Sequence, residues 1–246
     1  MSLSKKNDEP WYIELPKTIF WAVAIAIIFR SFIFEPFSIP SGSMIPTLKV
    51  GDYLFVSKYS YGYSRYSLPF GVIPFSGRLM ESTPERGDVV VFRKPGAEHI
   101  DYIKRLVGLP GDEIAVTGGI LHINGEPVKR VQVTQGLVDL GLVIQQAKIY
   151  EETLPEGRTH LIQELSDQNS MDNTVPVTVP EGHYFFMGDN RDNSRDSRAE
   201  VGFVPAENLI GRAEFLFFSH NGKASFFEVW KWPFAIRFDR IGKTID

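Results

Sequence analysis

Hydrophobic and polar positions are unevenly distributed along the chain. After a polar start, residues 18–29 are uncharged and mostly apolar, Arg30 interrupts the run, and Ser31-Phe32-Ile33-Phe34 resumes it. Such a stretch lies at the lower edge of the length a membrane-crossing helix needs. Arg30 lies near its far end, where a long cationic side chain can snorkel toward headgroups. Trp11, Tyr12 and Trp21 suit the interfacial region on the near side. Three readings meet here. A cleaved secretory leader fits the short run, and Ala22, Ala24 and Ala26 have the A-x-A spacing, but they lie inside the apolar core with more apolar chain after them. A buried helix of a soluble domain is the second reading. An uncleaved anchor over residues 17–36, led by a polar segment 1–16, fits best. Lys5, Lys6 and Lys17 precede the run and Arg30 follows it, which tilts the orientation slightly toward a cytoplasmic N-terminus.

From Glu35 onward the pattern changes to short apolar runs bounded by Gly, Pro and Asp. The runs at 53–56, 89–92, 102–107, 120–123, 183–187 and 214–218 read as strands, and Asn124-Gly125 after the fourth is a strong hairpin signal. The expected fold is mainly β: an antiparallel barrel or sandwich with an N-terminal transmembrane helix and a smaller inserted β-rich subdomain. The main β domain is expected over 37–127 and 181–227, with the satellite at 128–180, which is more polar and less regular. Residues 59–85, rich in Tyr, Ser, Gly and Pro, read as a long surface excursion. The tail, 228–246, interleaves Trp230, Trp232, Phe234 and Phe238 with Lys231, Arg237, Arg240 and Lys243. That mixture suits a membrane interface or a tail docked on its own domain.

Composition narrows the function classes. The chain of 246 residues carries a net charge of −4 and shows no basic stripe, so nucleic acid is not expected as a partner. It has no cysteine, which excludes disulfides, thiol nucleophiles and Cys-ligated metals.

Three segments carry candidate chemistry. Ser41-Gly42-Ser43-Met44-Ile45-Pro46-Thr47-Leu48 follows Pro40, and its prolines and glycine impose a bent backbone with free N–H groups. Such a turn either links membrane to domain or presents a serine hydroxyl beside oxyanion donors. Asp101 to Asp112 opens as a strand, on which Lys104 and Arg105 face opposite ways. One of them therefore meets apolar surroundings or a special partner. A desolvated lysine loses its charge more easily and becomes a general base, whereas an exposed one merely protects a sheet edge. Gly188 to Arg198 contains no apolar side chain and reads as a turn-rich loop. A calcium loop is the alternative, but Arg191 occupies a ligand position and Ser194 stands where the glycine is needed.

Taken together, these segments resemble bacterial type I signal peptidases. Pro40 to Leu48 matches that family's P-S-x-S-M-x-P-T-L box, Arg86 to Phe92 its R-G-D-x-V-V-F strand, Asp101 to Asp112 its D-Y-x-K-R-x-x-G-x-P-G-D box, and Gly188 to Arg198 its G-D-N-x-x-x-S-x-D-S-R box. The resemblance implies a membrane-bound serine endopeptidase that removes signal peptides from exported preproteins after a small-x-small motif, through an acyl-enzyme. Ser43 would be the nucleophile and Lys104 its base, with the Ser41 hydroxyl and Ser43 N–H as the oxyanion hole. Ser194 would orient Lys104, and Asp196 and Arg198 would hold the Ser194 loop. Ile39, Met44, Leu48, Leu54, Val91, Tyr102 and Ile103 would line shallow substrate pockets. Signal peptides and the lipid bilayer are the expected partners, with no metal or organic cofactor. The expected place is the bacterial cytoplasmic (inner) membrane, single-pass, with the catalytic domain on the periplasmic side.

Other readings compete. A Ser-His-Asp hydrolase would need one of His99, His122, His160, His183 or His220; none has a recognisable catalytic context, no G-x-S-x-G elbow occurs, and His99 is nearest the lysine box. A relative with a narrower substrate and a non-catalytic tethered β module are the remaining two.

Overall fold

The structure, a computed structural model, describes residues 10–66, 77–139, 144–223 and 228–245. Lys5, Lys6, part of the 59–85 excursion and Asp246 lie outside them. Helix α1, Trp11–Phe32, spans 22 residues, about 33 Å at 1.5 Å per residue. It is long and apolar enough to cross a membrane, and Ser31 is its one buried residue. It begins before the expected anchor boundary at 17 and stops short of 36. Residues 34–36 instead open strand β1, Phe34–Ser38. Phe34 and Pro36 pair with Ser57 and Phe55 across β2, Asp52–Ser57, so tertiary pairing overrides the continuing apolar run. Glu35 takes Arg30 at 2.8 Å and Lys58 at 2.9 Å, fixing the helix exit.

The strands that follow are β3, Val89–Lys94; β4, Ala97–Gly108; β5, Glu113–Thr117; β6, Ile120–Ile123; and β7, Glu126–Pro127. Then come β8, Lys129–Asp139; β9, Ile144–Thr153; β10, Thr159–Glu164; β11, Val177–Thr178; β12, His183–Met187; β13, Val204–Pro205; and β14, Leu209–Ser219. A seven-stranded sheet orders them β1-β2-β14-β3-β4-β12-β13, a three-stranded sheet β10-β9-β8, and a four-stranded sheet β11-β5-β6-β7. Neighbouring strands are antiparallel. The fold is mainly β with an N-terminal apolar helix. Asn124 and Gly125 both take positive φ in the β6–β7 turn, as the Asn-Gly pair anticipates.

The inserted stretch is more regular than its sequence suggests. β8 and β9 form a long hairpin whose β8 side chains are largely exposed, so no alternation marks it. β11, near the end of that stretch, pairs with β5 rather than with the satellite sheet. Leu154, just after β9, packs with Val107, Val128 and Phe185 and so roots the satellite sheet in a shared core.

Candidate functional site

Strand β4 lies between β3 and β12 in the large sheet, with Lys104 opposite Val90 and Arg105 opposite Val89 and Met187. Both of its faces are covered beyond Ile103. Lys104 and Arg105 are therefore both buried, at 3% and 1% exposure, where the sequence pattern singles out one.

Lys104 Nζ lies 2.7 Å from Ser43 Oγ and 2.9 Å from the Ile103 carbonyl. The ammonium also sits 5.2 Å from the centre of the Tyr102 ring. Burial lowers its pKa to about 8, against the opposing pull of Asp196 and Asp189.

Ser43 stands on the turn after β1, itself 9% exposed. Ser41 Oγ is 3.4 Å from Ser43 Oγ. The turn is held from outside: Asn190 N–H donates to the Ser43 carbonyl at 3.1 Å and its side-chain amide to the Gly42 carbonyl at 2.9 Å. Thr47 donates to Asp189 at 2.5 Å, and Asp189 also receives two Arg105 hydrogen bonds of 2.9 Å. Sequence reasoning assigned no role to Thr47, Arg105, Asp189 or Asn190, although all of them stand inside the matched boxes.

In the loop, Asp196 and Arg198 form a buried pair at 2.9 Å, and Asp196 also accepts the Gly188 N–H at 3.0 Å. The expected hydrogen bond from Ser194 to Lys104 is not formed. Lys104 Nζ is taken by Ser43 and Ile103, while the Ser194 side chain lies against Gly188, where an added Cβ would collide with its hydroxyl. The loop carboxylates turn onto protein partners: Asp189 on Arg105, Asp196 on Arg198, and Asp192 on the Leu165 and Ser166 amides.

An open cleft of about 300 Å³ passes over this group, lined by Ser41, Ser43 and Lys104 with Tyr102, Ile103 and Arg195 among its walls. Of the seven substrate-contact residues expected, Tyr102 and Ile103 line it. Ile39, Met44, Leu48, Leu54 and Val91 do not; they are buried in the core cluster beneath, at 0–4% exposure. His99 is exposed on the outer half of β4, and His160 is buried beside Glu152.

The arrangement suits acyl transfer: a hydroxyl hydrogen-bonded to a desolvated amine, with a second hydroxyl alongside, at the wall of an open cleft. A family model described as "Signal peptidase, peptidase S26" matches residues 12–218. Signal peptidase I of Rickettsia typhi is 46% identical over 207 residues, 81% of this chain and 77% of that one. The Rickettsia canadensis protein of the same name is 46% identical over 224 residues, 88% and 82% of the two chains. A solved signal peptidase I from Enterococcus faecalis is 28% identical, covering 53% of this chain and 97% of its own, with a TM-score of 0.31.

Proposed function

The chain belongs to the signal peptidase I family, serine proteases that remove signal peptides, and from that premise we propose that Ser43 and Lys104 form its catalytic dyad. The observation that carries this is the 2.7 Å contact between Lys104 Nζ and Ser43 Oγ, made by a lysine that burial has brought within reach of neutrality. Neutral Lys104 accepts the Ser43 proton as Oγ attacks the scissile carbonyl. The Ser43 N–H and Ser41 hydroxyl donate to the developing oxyanion. Lys104 then protonates the leaving amine, and the peptide bond breaks to leave an ester on Ser43. Water, deprotonated by Lys104, attacks that ester and frees the new carboxylate with the serine restored.

The cleft favours small side chains at the first and third positions before the cut, because Tyr102 and Ile103 crowd its wall. Helix α1 anchors the enzyme in the bacterial cytoplasmic membrane with the β domain on the periplasmic side. An aromatic face supports seating on that surface: Phe34 packs on Phe29, Phe55 and Phe215 at 6.0–6.3 Å, and the tail exposes Trp230, Phe234 and Phe238. Such an enzyme meets the bond just after the apolar helix of a signal peptide still in the bilayer.

The test is cleavage of a preprotein by full-length protein. Ser43→Ala abolishes processing and leaves the protein folded, although Lys104 loses one of its two hydrogen bonds. Near-normal processing by Ser43→Ala overturns the dyad, and a dead His99→Ala variant points to a triad instead.

A further inference from the structure

The satellite sheet β8–β10 reaches the serine turn through one short path. The Gln163 N–H at the end of β10 donates to the Asp189 carbonyl at 2.7 Å, and the Arg191 N–H donates back to the Gln163 carbonyl at 2.9 Å. Gln163 thereby forms a parallel bridge with Asn190. The Arg191 side chain turns into the satellite sheet and meets Glu152 of β9 at 2.5 Å, with both side chains no more than 2% exposed. Asn190, held between these contacts, donates to both the Gly42 and the Ser43 carbonyls. The Gly42 carbonyl belongs to the peptide unit that carries the Ser43 N–H, and the Ser43 carbonyl to the next one, so Asn190 grips the backbone on both sides of the Ser43 Cα.

We infer that the satellite sheet is a positioning element for the reaction. Glu152, acting through Arg191 and Asn190, sets the orientation of the Ser43 turn and is a positioning residue. The inference rests on Ser43 being the nucleophile. Two physical points support it. A buried ion pair contributes little net stability over a neutral pair of similar shape, but it holds its partners in one geometry. A misplacement on the order of 1 Å at reacting groups costs about a hundredfold in rate, so a contact with small thermodynamic weight can have large kinetic weight. The sheet has a separate anchor in Leu154, packed against Val107 and Phe185, and so does not depend on Glu152 to stay docked.

The experiment uses full-length protein in detergent and one preprotein substrate, with Glu152→Gln, Arg191→Met, the double variant, Asn190→Ala, and Asn190→Ala combined with Glu152→Gln. Glu152→Gln should lower kcat by about tenfold or more and leave KM within about twofold, because the cleft walls are untouched. It should also lower Tm, since Arg191 is left buried without its counter-charge. The double variant should regain Tm but not kcat. Asn190→Ala and Glu152→Gln should be non-additive in kcat, as two breaks in one path. A kcat that recovers together with Tm in the double variant, or losses that simply add, overturns the inference. Ser43→Ala in the same assay separates the two failures. Activity there defeats the dyad, whereas a dead Ser43→Ala beside a normal Glu152→Gln defeats only the positioning role.

Discussion

Lys104 and Arg105 are neighbours on one strand, both buried, and compensated by opposite means. Arg105 lays its guanidinium on Asp189 through two hydrogen bonds of 2.9 Å and donates a third to the Gly87 carbonyl at 2.7 Å. Lys104 has no carboxylate partner among the described residues; its ammonium bonds a hydroxyl and a carbonyl. A desolvated charge with a full counter-charge stays charged, and one without sheds its proton more readily. The fold thus ties one cation to Asp189 as a strut and makes its neighbour, Lys104, titratable.

The first prediction concerns pH. With Lys104 near 8, about one molecule in ten has the neutral amine at pH 7, against roughly one in several thousand for an ordinary lysine. The rate kcat/KM should rise about tenfold per unit below pH 8 and level off above it. Lys104→Arg cannot deprotonate and should be as inactive as Lys104→Ala. A base with a depressed folded pKa supplies stability above its unfolded value that is lost as pH falls through the folded one. Below pH 8 the buried lysine therefore costs on the order of 3 kcal/mol. Lys104→Met should melt higher than the parent at pH 7 while losing activity. A pH–rate limb near 10, or substantial activity in Lys104→Arg, would remove Lys104 as the base.

A single methyl group tests the packing of the loop on the turn. At Gly188 a Cβ would fall 2.5 Å from the Ser43 carbonyl oxygen and would also collide with Ser194 Oγ. Backbone on one side and a buried side chain on the other leave no room to yield. Gly188→Ala should push the loop off the serine turn, lowering kcat by at least about tenfold and stability by about 1–3 kcal/mol. Steady-state cleavage rates and urea midpoints measure both, and a variant indistinguishable from the parent in the two would show that the loop tolerates displacement.

How legible this was in the sequence depended on whether a signal was local. β2, β3, β6 and the Asn124-Gly125 turn announce themselves through apolar runs and turn residues. Ser43 and Lys104 stand in matched boxes, and the opposite facing of Lys104 and Arg105 followed from alternation alone. Three features stayed hidden. Strand β8 is exposed on so much of its surface that it lacks a burial pattern. Met44, Leu48, Leu54 and Val91 are apolar in either a core or a pocket, and periodicity does not tell which. Asn190 works through backbone carbonyls of Gly42 and Ser43, far earlier in the chain, and no spacing rule reaches that far. Arg105 shows the intermediate case: alternation requires a special environment for one of two cations, but only a sheet covered on both faces gives one to each.

Acid titration should expose the buried histidine. Burial, aided by the Arg105 guanidinium, pushes His160 down to about 4. Its folded pKa lies below the ordinary value, so its contribution is full above about 6.5 and is lost as pH falls toward 4. The loss amounts to about 3 kcal/mol. Burial alone would raise the Glu152 and Asp189 carboxyls, but Arg191 and Arg105 hold them below the usual range, so they withdraw stability only at lower pH. Burial raises the Glu164 carboxyl to about 7, so it adds stability as pH falls through the same window; between pH 6.5 and 4 the unfolding free energy of the parent should therefore fall relative to that of His160→Leu, whose own profile should rise toward acid. Parallel slopes in denaturant titrations of the two proteins would mean that His160 is free to ionise.

The last prediction asks what excludes large substrate side chains. Ile39, Met44, Leu48, Leu54 and Val91 are already packed against one another, so shrinking any of them opens a cavity under the sheet rather than room in the cleft. Ile103 is different: it lines the cleft, packs against that same core, and neighbours Lys104 without sharing its hydrogen bond to Ser43. Ile103→Ala takes most of that side chain off the wall. Against substrates with Ala or Leu at the first or third position before the cut, the parent should prefer Ala at both. In Ile103→Ala the preference at one of them should fall by about tenfold, the 1–3 kcal/mol expected for a side chain's fit in an apolar pocket. Rates on the all-Ala substrate should change far less, since the dyad and the oxyanion donors are untouched. The comparison is a ratio within one enzyme, so any change in the active fraction cancels. If both ratios stay at the parental value, Ile103 is not part of the sieve, and the exclusion of large side chains must come from Tyr102 or the rest of the cleft lining.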